Sequence, residues 1–351
     1  MNKKTKLILT TLLVYGIPVI LWSLLPFSKN LWGTWTDSTI FNFISYGNYV
    51  FRPIGIITDV ILFYCLFILF FKKDIDFQKE RVWLIYNGVK KIFKWIFTDK
   101  MKKDPEVSRE EKISMLFYLV KLYFTPVMLN FLIGNWLSLS GSISALNSMG
   151  AFTMDEKSIL KIYFPAILHV MLVIDTIIFS CGYLFESSGL KSIVKSVEPT
   201  ALGWLVTLAC YPPVNDLTGR VLGWYTSDFS TFSSVNTTII MGIVSLLLFG
   251  VYVWASIALG FKASNLTNRG IVTKGPYKYV RHPAYASKGI SWLIMGIPFI
   301  IKFGMVAIIS LLGWTIIYFL RALTEERHLS KDPDYVAYSQ KVKYMFIPGI
   351  I

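Results

Sequence analysis

Cysteine is scarce in this 351-residue chain: Cys65, Cys181 and Cys210 are the only three, and no two of them form a CxxC pair. A disulfide framework and a thiolate metal site are therefore both unexpected, and no metal is assigned. There is no glycine motif of the GxGxxG type, so any nucleotide-containing cofactor has to bind in some other kind of fold. Alternating apolar and polar strands are absent as well, which leaves helices as the only expected way across a bilayer. Acidic residues are few, 21 against 35 Lys and Arg, for a net charge of +14. Basic residues flank apolar runs instead of clustering on a soluble fold, so no nucleic-acid partner is expected.

Hydrophobic residues, in contrast, are abundant: 54% of the chain is apolar, 16% is aromatic, and the mean hydropathy is +0.55. Several runs approach or exceed the roughly 20 residues that a helix needs to cross the hydrocarbon core. The expected spans are Leu7–Leu25, Pro53–Phe71, Ile113–Leu137, Ile159–Leu184, Pro199–Tyr211 and Thr238–Gly260. Two shorter runs follow, Ile290–Ile301 and Met305–Leu320, parted only by Lys302-Phe303-Gly304, and this spacing predicts a helical hairpin. The opening Met1–Lys6 and its apolar run have the form of a signal peptide. That run is long, contains Pro18 and lacks a small-residue cleavage site, so it is expected to be a first span.

With the N-terminus in the cytoplasm and one crossing per run, 28 of the 35 Lys and Arg fall inside and five outside. That asymmetry favours eight crossings with both termini inside. The fold class expected is all-α: a polytopic helical bundle with about eight transmembrane helices, the C-terminal hairpin included. Pro199–Tyr211 is the weakest of the eight, because it is short and ends at Pro212-Pro213; a span begun before Pro199 is expected. In the basic loop of residues 72–112, Trp83, Tyr86, Val89, Phe93 and Ile96 recur at helical spacing opposite Lys90, Lys91 and Lys94. Such a helix lies in the membrane interface or connects two spans while packed on the bundle; both readings stand. Membrane lipids are expected partners in either case.

Polar chemistry is concentrated near the C-terminus. His282 precedes Pro283, and a residue before proline is pushed away from helical geometry, whereas proline suits the first helical position. The chain should turn at His282 and enter a helix at Pro283, presenting free N–H groups and a positive helix end to an anionic group. Gly275-Pro276 supplies a tight loop, and Tyr277, Tyr279 and Tyr285 supply flat aromatic walls. Some forty residues on, Arg321 and Glu325 stand four apart on one helix face, beside Glu326. A surface ion pair there would contribute only about 0.2–0.5 kcal/mol, a small return for three charges at the foot of a hydrophobic hairpin. His328 is expected at the surface, and His169 and Asp175 are expected to make buried hydrogen bonds.

Gly275-Pro-Tyr, then Arg281-His-Pro-Ala-Tyr285, Arg321-x-x-x-Glu325-Glu326, Tyr335-x-x-Tyr338, Val342 and Ile347-Pro348 together resemble the C-terminal region of isoprenylcysteine carboxyl methyltransferases. Related phospholipid N-methyltransferases share the broad outline. The resemblance covers Gly270–Pro348, a little under a quarter of the chain. It implies that residues 191–351 form a membrane domain of this type, preceded in residues 1–190 by additional transmembrane helices with the basic cytoplasmic loop. It further implies S-adenosylmethionine as cofactor, held by Gly275, Pro276, Tyr277, His282, Pro283, Tyr285, Glu325 and Glu326. Arg321 matches the family arginine that orients the acceptor, and Glu325 is assigned with it to catalysis. The acceptor is expected to be lipid-like or lipidated, methylated on a carboxyl oxygen at the cytoplasmic side of the cell membrane; an amine acceptor would instead need a general base, for which His282 is the nearest candidate.

Two other readings compete. Membrane sterol and isoprenoid reductases resemble the same region and use NADPH, but this chain has Ala286-Ser287-Lys288 and Arg327-His328-Leu329 where their pattern has an aspartate and a cysteine. A transporter would instead use Asp59, His169 and Asp175 as a polar path. The methyltransferase reading carries a structural requirement: the turn at His282 and the Glu325-Glu326 stub must meet.

Overall fold

A computed structural model describes residues 2–24, 53–72, 75–98, 104–149 and 154–350. Two compact units divide it, Met1–Ile133 and Gly134–Ile351. Among the described residues four helices are long and apolar enough to cross a membrane: Arg109–Ser148, Glu156–Leu184, Val235–Lys262 and Met305–Leu329. A fifth arises if Pro283–Met295 and Ile297–Phe303, bent by 40° at their junction, count as one. The protein is thus a helical membrane protein with fewer long apolar helices than the eight expected runs.

In the first unit, α1 (Lys3–Thr11) continues through a π turn into α2 (Ile17–Leu24), an unbroken helical stretch matching the first expected span up to Leu24; Leu25 lies outside the described residues. It is joined by α3 (Pro53–Phe70) and α4 (Arg81–Phe97). Leu7, Ile68 and Ile75 form one buried cluster; Val14, Val82 and Ile85 form another. In α4 the packed stripe is Val82, Ile85 and Gly88, while Val89, Phe93 and Phe97 remain exposed. The helix therefore packs on its neighbours with a stripe one residue removed from the one expected, and still leaves apolar side chains outward. Next comes α5 (Arg109–Ser148), opened by a reciprocal Ser108–Glu111 capping box: each backbone N–H is bonded by the other residue's side chain at 2.8 and 3.2 Å.

The second unit is organised around one polar end. After a π turn comes α6 (Phe164–Leu184). Two short helices follow, α7 (Ala201–Leu208) and α8 (Val214–Leu222), then the long α9 (Val235–Leu259). Next are α10 (Pro283–Met295), α11 (Ile297–Phe303), α12 (Met305–Leu329) and α13 (Pro333–Lys341). Parallel packing of α6 and α9 is fixed at three levels. Gly182 lies so close to Ala263 that a Cβ would stand 1.9 Å from its carbonyl oxygen. Midway, Asp175 accepts from Tyr252 Oη at 2.7 Å and Ser256 Oγ at 2.5 Å. At the far end Phe164 fills the space beside Gly242.

The expected hairpin is present, and its first arm begins at Pro283, earlier than the apolar run suggested. Gly304 makes its turn at φ 59°, a conformation that suits glycine.

Pro199–Tyr211 is corrected in form: it holds only the eight-residue α7, about 12 Å long. The run does not begin earlier; it continues, broken, into α8, and the pair climbs along α12. Glu198 meets Arg327 at 2.8 Å, Tyr211 meets Arg321 at 3.4 Å, and the Gly223 carbonyl accepts from Trp314 Nε1 at 2.7 Å and Ser310 Oγ at 3.2 Å. From Arg327 to Ser310, α12 rises about 25 Å, most of a hydrocarbon core.

Residues 186–200, 260–282 and 330–348 accordingly gather at one end. Strand β1 (Ser196–Val197) pairs antiparallel with β2 (Thr267–Asn268), which ties the first two segments together. Asp332 caps α13 and accepts from Asn268 Nδ2 at 2.8 Å and Lys195 Nζ at 3.2 Å, which adds the third.

Candidate active site

At Pro283 the backbone behaves as the sequence requires: His282 is the non-helical N-cap (φ −124°, ψ 59°) and Pro283 is the first residue of α10. The turn is held from behind by the C-terminal tail. Arg281 N donates to Tyr344 O at 2.9 Å and His282 N to Met345 O at 2.8 Å. Arg281 Nη1 reaches the Val342 and Lys343 carbonyls at 2.9 and 2.7 Å. Pro283 has no N–H, so Ala284 and Tyr285 supply the amides of this helix end that lack an intrahelical partner.

The turn and the acidic stub meet. Glu326 Oε1 accepts from Arg281 Nε at 2.8 Å, His282 Nε2 at 2.9 Å and Tyr335 Oη at 2.6 Å. One carboxylate oxygen thereby joins the loop, α12 and α13 in a clasp. The buried His282 ring stacks on Tyr285 at 5.4 Å and leans on Phe346 at 5.7 Å. Glu325 projects outward and accepts from Tyr285 Oη at 2.8 Å.

Deeper in the bundle, one turn before Glu325, lies Arg321. It is 6% exposed, and among the described residues no carboxylate pairs with it. Its partners are neutral groups: Nη2 donates to Asn265 Oδ1 at 2.6 Å, and the guanidinium carbon lies 5.3 Å from the Tyr211 ring and 5.1 Å from the Tyr285 ring. Aromatic faces attract a cation and can hold it without neutralising it. Tyr285 thus touches both charged groups, its ring facing Arg321 and its hydroxyl bonded to Glu325.

The remaining expected residues are spread over the loop before α10 and neighbouring helices. Gly275, at φ +64°, opens a single 3-10 turn through Lys278, and a Cβ there would stand 3.1 Å from the Ala258 side chain and 3.3 Å from Trp254 Nε1. Pro276 is buried, and the Tyr277 carbonyl accepts from Tyr338 Oη at 2.8 Å. Tyr279, by contrast, is 63% exposed and forms no wall. His328, expected at the surface, is 4% exposed and lies 2.9 Å from Ser196 Oγ: it faces the β1 segment, whose presence a helical pattern does not reveal. His169 hydrogen-bonds Ser142 at 2.9 Å.

Residues 237–331, from α9 through α12, match the model of the isoprenylcysteine carboxyl methyltransferase (ICMT) family. The similarity is confined to this stretch. No curated protein matches the chain. The matched stretch contains His282, Tyr285, Arg321, Glu325 and Glu326, and points to a membrane methyltransferase. Tyr211 and Tyr335, which complete the surroundings of Arg321 and Glu326, lie outside the matched residues. Sequence reasoning quoted Arg281 and Tyr335 only as motif positions and passed over Asn265 and Tyr211 as site residues; each acts through a contact distant along the chain.

Proposed function

We propose that this protein transfers the methyl group of S-adenosylmethionine to a carboxylate on a lipid-like or lipidated acceptor. The observation that carries this reading is the buried Arg321, held by neutral groups and separated from Glu325 by a single tyrosine. A buried cation without an anion is costly, and in a membrane such groups mark functional sites. An anionic acceptor head would complete it.

The residues present suit the cofactor. Glu325 suits its ammonium, sulfonium or ribose hydroxyls, the free amides of α10 suit its carboxylate, and Tyr277 and Tyr285 suit its adenine. Gly275 lets the loop approach α9 closely, His282 and Pro283 set the turn, and Glu326 keeps the pocket closed through its clasp. When bound, the cofactor supplies an electrophilic methyl group on sulfur. Arg321 binds the acceptor carboxylate with paired hydrogen bonds and aims an oxygen at that carbon. A carboxyl group with a pKa near ~4 is already ionised at neutral pH, so no general base is needed. That agrees with His282, whose Nε2 is already bonded to Glu326.

In the membrane we place eight crossings, with both termini and the site on the cytoplasmic side. The unbroken stretch Lys3–Leu24, α3 and the broken α7–α8 segment along α12 supply the three beyond the long helices and the bent pair. Calorimetry on the detergent-purified protein tests the enzymatic reading. S-adenosylhomocysteine should bind, and Glu325→Ala or His282→Ala should abolish binding. Tight NADPH binding alone would favour reduction, and binding of neither would favour transport.

A further inference from the structure

Asn265 stands in the turn between α9 and β2 and is 7% exposed. Its backbone N–H donates to the buried Tyr183 hydroxyl at 2.7 Å. The next residue, Leu266, adopts φ 61°, a left-handed conformation that costs a non-glycine residue about 1–2 kcal/mol, and its carbonyl accepts from Glu198 N at 2.8 Å. The turn is held from both sides and carries the Asn265 side chain to Arg321.

The orientation of that side chain is fixed by chemistry. A guanidinium has donors and no acceptor, so the atom 2.6 Å from Arg321 Nη2 must be the amide oxygen. The NH2 group is then the free end of the amide, next to the oxygen that Arg321 holds. This nitrogen is buried and has no hydrogen-bond partner among the described residues, a situation that costs about 1–3 kcal/mol. Aspartate is nearly the same size, would pair with Arg321 as an ion, and would leave no orphan donor. The chain instead keeps a neutral partner, which preserves the charge on Arg321 and sets a second donor beside it.

We propose that the Asn265 amide NH2 and the Arg321 guanidinium together form a donor site for the acceptor's carboxylate, and that Asn265 selects anionic head groups over neutral or cationic ones. This rests on the acceptor role given to Arg321 above. It adds to that reading a binding residue from the α9–β2 turn.

The test is calorimetry on the full-length protein in detergent at mildly alkaline pH, titrated with oleate, oleyl alcohol and oleylamine, with S-adenosylhomocysteine in parallel. Oleate should bind wild type most tightly of the three amphiphiles. Asn265→Asp and Asn265→Leu should each weaken oleate by about tenfold or more, near 1.4 kcal/mol, while affinity for S-adenosylhomocysteine stays unchanged and reports an intact fold. Equal binding of oleate and oleyl alcohol by wild type would overturn the proposal. So would unchanged oleate binding in both variants, or parallel loss of both ligands, which would make Asn265 structural. Preserved oleate selectivity, sensitive to Asn265, in a protein that does not bind S-adenosylhomocysteine would support the anion site and reject the methyl-donor reading.

Discussion

Tyr285 donates its hydroxyl to Glu325 at 2.8 Å across the gap between α10 and α12. The same ring faces Arg321, so one side chain spans the proposed cofactor and acceptor halves of the site. Tyr285→Phe keeps the ring and removes the hydrogen bond. A hydrogen bond to a charged group contributes about 1.5–3 kcal/mol, so affinity for S-adenosylhomocysteine should fall by about tenfold or more. Calorimetry with unchanged affinity would separate Tyr285 from cofactor binding.

Arg321→Ala should leave S-adenosylhomocysteine binding intact and abolish turnover. Arg321→Lys should recover little, because an ammonium lacks the planar fork that grips a carboxylate at two points. Equal loss of binding and turnover in a filter assay run beside calorimetry would show that the arginine belongs to the cofactor pocket or to the fold.

The Glu326 clasp makes a stability prediction. Glu326→Gln leaves Arg281 without its anion and disturbs the contacts to His282 and Tyr335. Loss of one partner from a buried pair costs about 3–5 kcal/mol, reduced here because Arg281 also bonds two carbonyls and Glu326 is partly accessible. A loss of about 1–3 kcal/mol is expected, seen as a lower thermal midpoint. Arg281→Ala combined with Glu326→Gln should cost less than the sum of the two single changes.

Asp332 should make the polar end sensitive to acid. Burial alone would raise its carboxyl pKa, but hydrogen bonds from Asn268, the Asp334 amide and Lys195 outweigh burial and hold it below the usual range. The folded pKa lies under the unfolded value of about 3.9, so the contribution is complete above that value and is lost as pH falls through the folded pKa. Thermal midpoints measured down into that range should drop more steeply for wild type than for Asp332→Asn. Parallel curves would remove this residue from the account.

Counting the broken α7–α8 segment as one crossing, as proposed above, puts the stretch before α9 outside. A cysteine at Ser233, in the exposed stretch just before α9, should react with an impermeant maleimide added outside intact cells, in a background with the native cysteines replaced. Labelling only after the cytoplasmic face is opened would reverse the orientation.

Much of this was legible wherever the determinant is local. Pro283 sets the helix start, Gly304 sets the hairpin, and the Asp175 hydrogen bonds follow from a carboxylate inside an apolar run. The four-residue spacing of Arg321 and Glu325 sets both on one face of α12, but it does not reveal that Asn265 and Tyr211 are the hydrogen-bond partners of Arg321. Those partners come from loops and broken helices, where no periodicity announces a contact. His328 was misjudged for the same reason, because the strand pair covering it is only two residues long. In α4 the exposed and packed stripes differ by one position, which an apolar count cannot resolve when both stripes are apolar.

The most direct test supplies the purified protein with methyl-tritiated S-adenosylmethionine and a lipid extract of its native membrane. The lipid product is then treated with mild base. A carboxyl methyl ester should release volatile labelled methanol, and Glu325→Ala should incorporate no label. Label that survives the base, or no transfer by wild type, would contradict carboxyl methylation.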